Sequence, residues 1–171
     1  MYQTFIASQT NQIQKSLGDA YLRIQLDGQT NALLSMAKLQ EVVVVPIDSI
    51  TPIPLMPSCV RGLINRRNKV LWLVDLAQML GFNPIDPVIQ EYNVVIVRLE
   101  QFPLGLIVQY VKGVNRFTKD AIQSPLENVS MGVTPYLKGC ILNNDQILIV
   151  LDVKSILNSP LWPNNQDVNS N

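Results

Sequence analysis

Four basic side chains fall within a short stretch of the chain: Arg61, Arg66, Arg67 and Lys69. Arginine binds carboxylates and phosphates through a planar fork of donors, and lysine binds them as a point charge. The stretch could therefore bind a protein or a nucleic acid, or form a solvated hairpin turn. No phenylalanine or tyrosine interleaves with it, and 13 basic residues balance 13 acidic ones overall. We therefore expect no nucleic-acid partner.

The sequence contains few residues that are suited to catalysis. The chain has no histidine, which removes the commonest general base and the commonest zinc ligand. Ser58 and Ser130 consequently have no base to activate them. There is no glycine-rich phosphate loop and no paired cysteine motif. The sequence predicts a protein that is not an enzyme, with no metal and no cofactor.

Two cysteines and the hydropathy pattern bear on the compartment. Cys59 and Cys140 are far apart and each lies in an apolar stretch, which favours buried free thiols in a reducing compartment. The first residues do not form a signal peptide, and no apolar stretch is long enough for a membrane helix. We expect a cytoplasmic protein without membrane insertion. Apolar residues make up 47% and charged ones 15%, which predicts either a crowded core or exposed apolar surface for partners.

Short β strands with polar turns must position these side chains. Helices are predicted only after Asp75 and Asp152, each of which is suited to cap a helix N-terminus. The strands are predicted at 20–26, 32–36, 39–45, 59–65, 70–74, 92–99, 104–109, 110–117, 137–142 and 146–151.

An internal repeat organises the elements. Residues 60–81 align with 137–158 without a gap, and Leu39–Val42 aligns with Val111–Val114. The repeat predicts two similar small barrels, each followed by a short helix. The identities are Gly62/Gly139, Ile64/Ile141, Leu71/Leu148, Asp75/Asp152 and Leu80/Leu157.

The domain boundaries follow from the composition. Residues 1–18 are predicted to be a flexible arm, 19–158 the two-barrel domain, and 159–171 a flexible tail. We also predict that the halves exchange strands, with 20–45 and 137–158 in one barrel and 60–136 in the other.

Residues 57–76 (PSCVRGLINRRNKVLWLVDL) resemble the signature of the CheW family of chemotaxis coupling proteins. That signature is approximately a proline, then Val-x-Gly, Asn-x-Arg-Gly, a β run and Asp-Leu. The family's upstream Val-x-Glu-Ile element is matched by LQEV at 39–42. Its second-half motifs are matched by VVIV at 94–97 and LGLIVQ at 104–109. The resemblance covers residues 20–158.

The resemblance implies a mostly β fold of two SH3-like five-stranded barrels, packed across a hydrophobic seam. It also implies a non-enzymatic adaptor that binds the regulatory domain of a CheA-like histidine kinase and the cytoplasmic tip of a methyl-accepting receptor, with recruitment to membrane receptor arrays. The pathway is left open among flagellar chemotaxis, phototaxis and type IV pilus motility. A small-ligand sensor or a general protein-interaction module of this fold is the alternative. The partner-binding residues carried over are Leu39, Glu41, Val42, Gly62, Asn65, Arg66 and Arg67.

Several positions depart from the family pattern. Asn68 replaces the glycine of the turn, and it can still adopt a positive φ. Arg66 stands at a usually apolar position, Trp72 at a common proline, and Gln109 at the usual aspartate. We expect these changes to alter partner choice and not the fold. Near Leu39 and Val42 we expect an apolar groove that receives a helical hairpin.

Overall fold

The computed structural model describes residues 17–124, 129 and 131–162 and contains two five-stranded sheets. The first sheet has the order β8-β1-β2-β10-β9, and the second has the order β3-β6-β7-β5-β4. The strands are β1 Asp19–Gln25, β2 Asn31–Ser35, β3 Leu39–Pro46, β4 Val60–Arg66, β5 Lys69–Asp75, β6 Glu91–Leu99, β7 Phe102–Val108, β8 Tyr110–Phe117, β9 Leu137–Asn143 and β10 Gln146–Leu151.

The two sheets follow one plan. Each contains a single parallel pair, β2 with β10 in the first sheet and β5 with β7 in the second, and every other pair is antiparallel. A short helix follows the last hairpin of each repeat, Leu76–Met79 after β5 and Val153–Leu157 after β10. The predicted mostly β architecture is confirmed.

Equivalent backbone bridges draw each sheet toward closure. Thr51, beyond the end of β3, exchanges two hydrogen bonds of 2.9 Å with Leu63 on β4. Gln123, beyond the end of β8, exchanges bonds of 2.8 and 2.9 Å with Cys140 on β9. In both cases the chain leaving one edge strand pairs with the opposite edge strand, which makes each sheet a small barrel.

The final hairpin of each repeat turns in the same way. Arg67 and Asn68 have φ values of 50° and 61°, and Asn144 and Asp145 have 48° and 61°. Two successive positive φ angles define the two-residue turn that matches the twist of a β hairpin. The expectation that Asn68 can adopt a positive φ in this turn is therefore confirmed.

Aspartate caps both helices, as predicted. The Asp75 carboxylate accepts from the amide of Gln78 at 3.1 Å. The Asp152 carboxylate accepts from the amide of Lys154 at 3.1 Å and from the Ser155 hydroxyl at 2.9 Å. Each carboxylate thus satisfies donors at a helix start that have no intrahelical partner.

The apolar core has three parts. One cluster lies inside each barrel, with Leu33 in the first and Leu73 in the second. The largest cluster lies between the sheets, where Ile24 of β1 and Val95 of β6 are both completely buried. This inter-sheet cluster is the predicted hydrophobic seam.

The strand exchange differs from the one expected. The first sheet takes β1, β2 and β8 to β10, whereas the second takes β3 to β7 without interruption. Residues 39–46 therefore belong to the second barrel, and 110–117 belong to the first. The prediction was wrong on both segments because a repeat shows that two units are alike but not which strands pair.

The packed chain continues past the predicted boundary at 158. Ser159 is completely buried, and its side chain lies 2.8 Å from the hydroxyl of Tyr136. Trp162 is 4% exposed and donates its indole N–H to the carbonyl of Ile156 at 2.8 Å. The rest of the expected arm and tail, 1–16 and 163–171, lies outside the described residues. Among the described residues, no helix is both long and apolar enough to span a membrane.

Candidate functional site

Glu41 and Arg66 form a two-pronged ion pair. The Arg66 Nε donates to Glu41 Oε1 at 2.9 Å, and one Arg66 Nη donates to Oε2 at 3.0 Å. Glu41 lies on β3 and Arg66 ends β4, and these strands are opposite edges of the second sheet. Parallel donation from a guanidinium is the strongest carboxylate contact that a side chain offers. The pair therefore ties the two sheet edges together at one end of the barrel.

Arg67 extends beyond this pair. One of its Nη atoms lies 3.5 Å from Glu41 Oε2, and 75% of its side chain is exposed. It occupies the first position of the β4–β5 turn, with a positive φ. Among Glu41, Arg66 and Arg67, the side chain of Arg67 is thus the most accessible from solvent.

The ion pair also perturbs the acidity of its members. The hydrogen bonds from Arg66 hold the pKa of Glu41 below its ordinary value of 4.5, against partial desolvation and with help from the charges of Arg66 and Arg67. The hydrogen bond to Glu41 in turn raises the pKa of Arg66. Both groups are therefore charged at neutral pH.

A pocket of about 140 Å³ opens beside the ion pair at the barrel end, and we call it the mouth pocket. Leu71 and Ile96, which belong to the core of the second barrel, line it together with Lys69 and Arg98. Arg98 was not predicted from the sequence. Alternation along β6 places Arg98 on the same face as the barrel-core residues Val94 and Ile96, but it does not show that this end of β6 lies beside the β4–β5 turn.

Leu39 and Val42 lie on the other face of β3. Leu39 pairs with Val97 and Val42 with Val95, and both partners belong to the inter-sheet core. A register shift between Leu39 and Glu41 places Leu39 and Val42 on one face in spite of their odd spacing. Leu39 packs against that core, and Val42 is 44% exposed. Together they form an apolar surface at the edge of the seam, which we call the seam edge.

The two other predicted positions have different surroundings. Asn65 is exposed and lies opposite Val70, which is 61% exposed. Gly62 is buried at φ 138°, and a Cβ there would lie 2.2 Å from the carbonyl oxygen of Thr51. Gly62 offers a partner almost no surface. Its lack of a side chain is required by the bridge that closes the barrel.

Arg61 is engaged within the chain. One of its Nη atoms lies 2.9 Å from Asp75 Oδ2, and Asp75 is completely buried. Of the four basic residues in this stretch, Arg61 and Arg66 therefore serve internal ion pairs. Lys69 makes no ion pair with a described residue, and Arg67 makes only the 3.5 Å contact with Glu41.

A protein-family model matches most of this chain. The model of the CheW-like domain matches residues 20–161. The chain belongs to the CheW-like domain family. Its match covers every strand of both sheets except the first residue of β1, so the family assignment applies to the whole two-barrel unit.

Curated CheW proteins are similar to this CheW-like chain over most of their length. The chemotaxis protein CheW of Thermotoga maritima is 30% identical over 114 residues, which are 67% of this chain and 73% of that protein. The chemotaxis protein CheW of Treponema pallidum is 26% identical over 121 residues, which are 68% and 70%.

The CheW-like fold is also found in a solved structure. The crystal structure of the scaffolding protein TtCheW from Thermoanaerobacter tengcongensis superposes with a TM-score of 0.68 at 25% sequence identity. The superposition covers 78% of this chain and 88% of that protein. Two SH3-like β subdomains, expected from the resemblance, are thus confirmed.

Proposed function

We propose that this CheW-like chain is a non-enzymatic cytoplasmic adaptor that couples a methyl-accepting receptor to a CheA-type histidine kinase. Family membership supports the proposal, as do the names of the relatives, two of which are chemotaxis proteins and one a scaffolding protein. The pathway is flagellar chemotaxis, phototaxis or type IV pilus motility. Recruitment to receptor arrays at the membrane would follow from receptor binding.

The observation that carries the proposal is the arrangement of two different surfaces on one strand. Glu41 lines the charged mouth pocket, whereas its neighbour Val42 belongs to the apolar seam edge on the other face of the strand. An adaptor must hold two partners at once, so it needs surfaces that do not overlap. Successive side chains of a β strand point to opposite faces and meet this requirement over a short distance.

The chemistry of each surface suggests its partner. The seam edge is apolar and suits one face of an amphipathic helix, as in the hairpin tip of a receptor. The mouth pocket combines arginine with a partly buried carboxylate and suits a folded domain with its own charged groups. We assign the first to the receptor and the second to the kinase regulatory domain.

Reconstitution tests the proposal directly. The purified chain would be mixed with receptor cytoplasmic fragments and the CheA-type kinase from the same source, and co-sedimentation would be followed together with kinase autophosphorylation. We expect the kinase to sediment with the receptor, and its activity to respond to the receptor, only when the chain is present. A chain that binds neither protein, or binds both without linking them, would exclude the coupling role.

A further inference from the structure

The charges around the mouth pocket are strongly unbalanced. Arg66, Arg67, Lys69 and Arg98 line it, and Glu41 is its one carboxylate. Four cationic groups thus surround one anionic group in a chain whose net charge is zero. The excess of three positive charges is local, because all five charged groups line one pocket of about 140 Å³.

Glu41 cannot neutralise the whole group. Both of its oxygens accept from Arg66, and Arg67 adds a longer contact to Oε2. No carboxylate within the described ranges lies within ion-pair distance of Lys69 or Arg98. The Nε of Arg98 donates to the carbonyl of Glu100, which orients the guanidinium without cancelling its charge.

The pocket also has a shape suited to a side chain. Its walls include the barrel-core residues Leu71 and Ile96, and Pro103 completes the apolar part. A carboxylate on a short aliphatic stem could lie against these residues while its oxygens reach the cations at the rim. Arginine is well suited to this contact because its fork matches the two oxygens of a carboxylate.

We propose that the mouth pocket accepts an acidic segment of the protein partner, with a glutamate or aspartate side chain between Arg67, Lys69 and Arg98. This inference rests on the proposed adaptor function and adds the chemistry of the segment that one partner must supply. Arg66 positions the site, because it holds Glu41 in place and occupies both of its oxygens. Arg67 is left with only a 3.5 Å contact, and Lys69 and Arg98 have no carboxylate partner among the described residues. The remaining three bind the incoming carboxylate.

A second basic surface provides a stringent comparison. Lys38, Lys138 and Lys154 line a different pocket together with Asp152. The three are exposed lysines, none of them in an ion pair with a described carboxylate. A ligand that responded only to net positive charge would bind there as well as at the mouth pocket. The proposal requires the mouth pocket to be preferred.

The probe is an acetylated hexaglutamate peptide, titrated into the isotopically labelled full chain at low salt and followed by amide chemical shifts. Hexalysine serves as the charge control. We expect shifts concentrated in the β4–β5 and β6–β7 turns, and none with hexalysine. The double variant Lys69→Gln/Arg98→Gln should weaken hexaglutamate binding about 2- to 25-fold, since each exposed pair contributes a factor of roughly 1.4 to 5. The matched variant Lys38→Gln/Lys138→Gln should leave it unchanged.

Three results would overturn the inference: no binding of hexaglutamate at low salt, shifts centred on Lys38, Lys138 and Lys154, or equal weakening by both double variants. None of these results would touch the adaptor role, which depends on assembly of receptor and kinase. Conversely, a chain that binds hexaglutamate at the mouth pocket but fails to link receptor and kinase would retain the anionic site and lose the proposed function.

Discussion

The guanidinium of Arg66 joins the carboxylate of Glu41 across 25 positions of sequence, through two hydrogen bonds of 2.9 and 3.0 Å. The pair connects opposite edges of one sheet, so it contributes to closing the barrel and to shaping the mouth pocket. Arg66 stands where the family pattern usually has an apolar residue. Since Arg66 occupies both oxygens of Glu41, the excess positive charge at the mouth pocket comes from Arg67, Lys69 and Arg98.

The Glu41 carboxylate should make stability depend on pH in the acid range. Its pKa is lower in the folded chain than the ordinary 4.5, so its stabilising contribution is complete above that value and is lost as the pH falls through the lowered pKa. Glu41→Gln should therefore cost up to about 1 kcal/mol at pH 7 and progressively less below about pH 4.5. Urea unfolding of both proteins between pH 7 and 3 measures this difference.

Glu91→Gln is the control for that series, because Glu91 is exposed and makes no ion pair with a described residue. It should change the free energy of unfolding by less than about 0.5 kcal/mol. A difference between wild type and Glu41→Gln that stays constant down to pH 3 would contradict the ion-pair assignment.

Arg67→Ala should separate binding from stability. The side chain is 75% exposed and makes one long contact, so its removal should change the free energy of unfolding by no more than about 0.5 kcal/mol. An interface arginine can contribute about 2 kcal/mol or more to binding, and we expect a loss of that size for the kinase. Thermal unfolding and titration calorimetry measure the two quantities. The control is Lys112→Ala, on an exposed residue of β8, which should change neither stability nor kinase binding. A large loss of stability in Arg67→Ala would show that Arg67 supports the fold and is not chiefly a binding residue.

Val42→Glu should abolish receptor binding while leaving the fold intact. Val42 is already 44% exposed on an edge strand, so a charge there can reach water in the free protein. In a complex with an apolar helix the same charge would be buried without a partner, which is costly. Kinase binding should survive, because the mouth pocket lies on the other face of β3. The control is Val88→Glu, on a residue that is 81% exposed, and it should leave receptor binding unchanged. Unchanged receptor affinity in Val42→Glu would show that the receptor binds at a different surface.

The two helix-capping aspartates should respond unequally to loss of charge. Asp75 is completely buried, pairs with Arg61 and accepts the amide of Ile85 at 2.9 Å. Asp75→Asn should cost about 1 to 3 kcal/mol, because it removes the charge of a buried carboxylate that pairs with Arg61, whose side chain is 31% exposed. Asp152→Asn keeps a good capping residue and breaks no ion pair with a described residue, so about 0.5 kcal/mol or less is expected. Equal losses in urea unfolding would show that Arg61 adds nothing to the cap.

Much of the local structure was predictable from the sequence. Alternating apolar runs located the strands, and the polar residues Arg67 and Asn68 located a hairpin turn. The helix caps followed from an aspartate before an apolar helical run. These features depend on neighbours along the chain, so a single sequence contains the information that decides them.

Pairing between distant strands was not predictable in the same way. The placement of β3 and β8 was wrong because their alternation is compatible with either barrel. The register shift in β3, which brings Leu39 and Val42 to one face, leaves no clear mark in the sequence. The contribution of Arg98 to the mouth pocket requires knowing that β6 ends beside the β4–β5 turn. Each of these facts depends on tertiary contacts.

The uninterrupted run of β3 to β7 in the second barrel has a consequence for the order of folding. Its parallel pairing joins Trp72 to Leu104, 32 positions apart, whereas the first barrel must join Asn31 to Leu148, 117 positions apart. Closing the longer loop costs more entropy, and non-local pairings form more slowly. As the chain leaves the ribosome, the second barrel is complete at residue 108, while β1 and β2 still await the strands that follow. In pulsed hydrogen exchange we expect the amide of Leu104 to be protected before that of Leu148. The second barrel would then form first, and the first barrel would assemble against it.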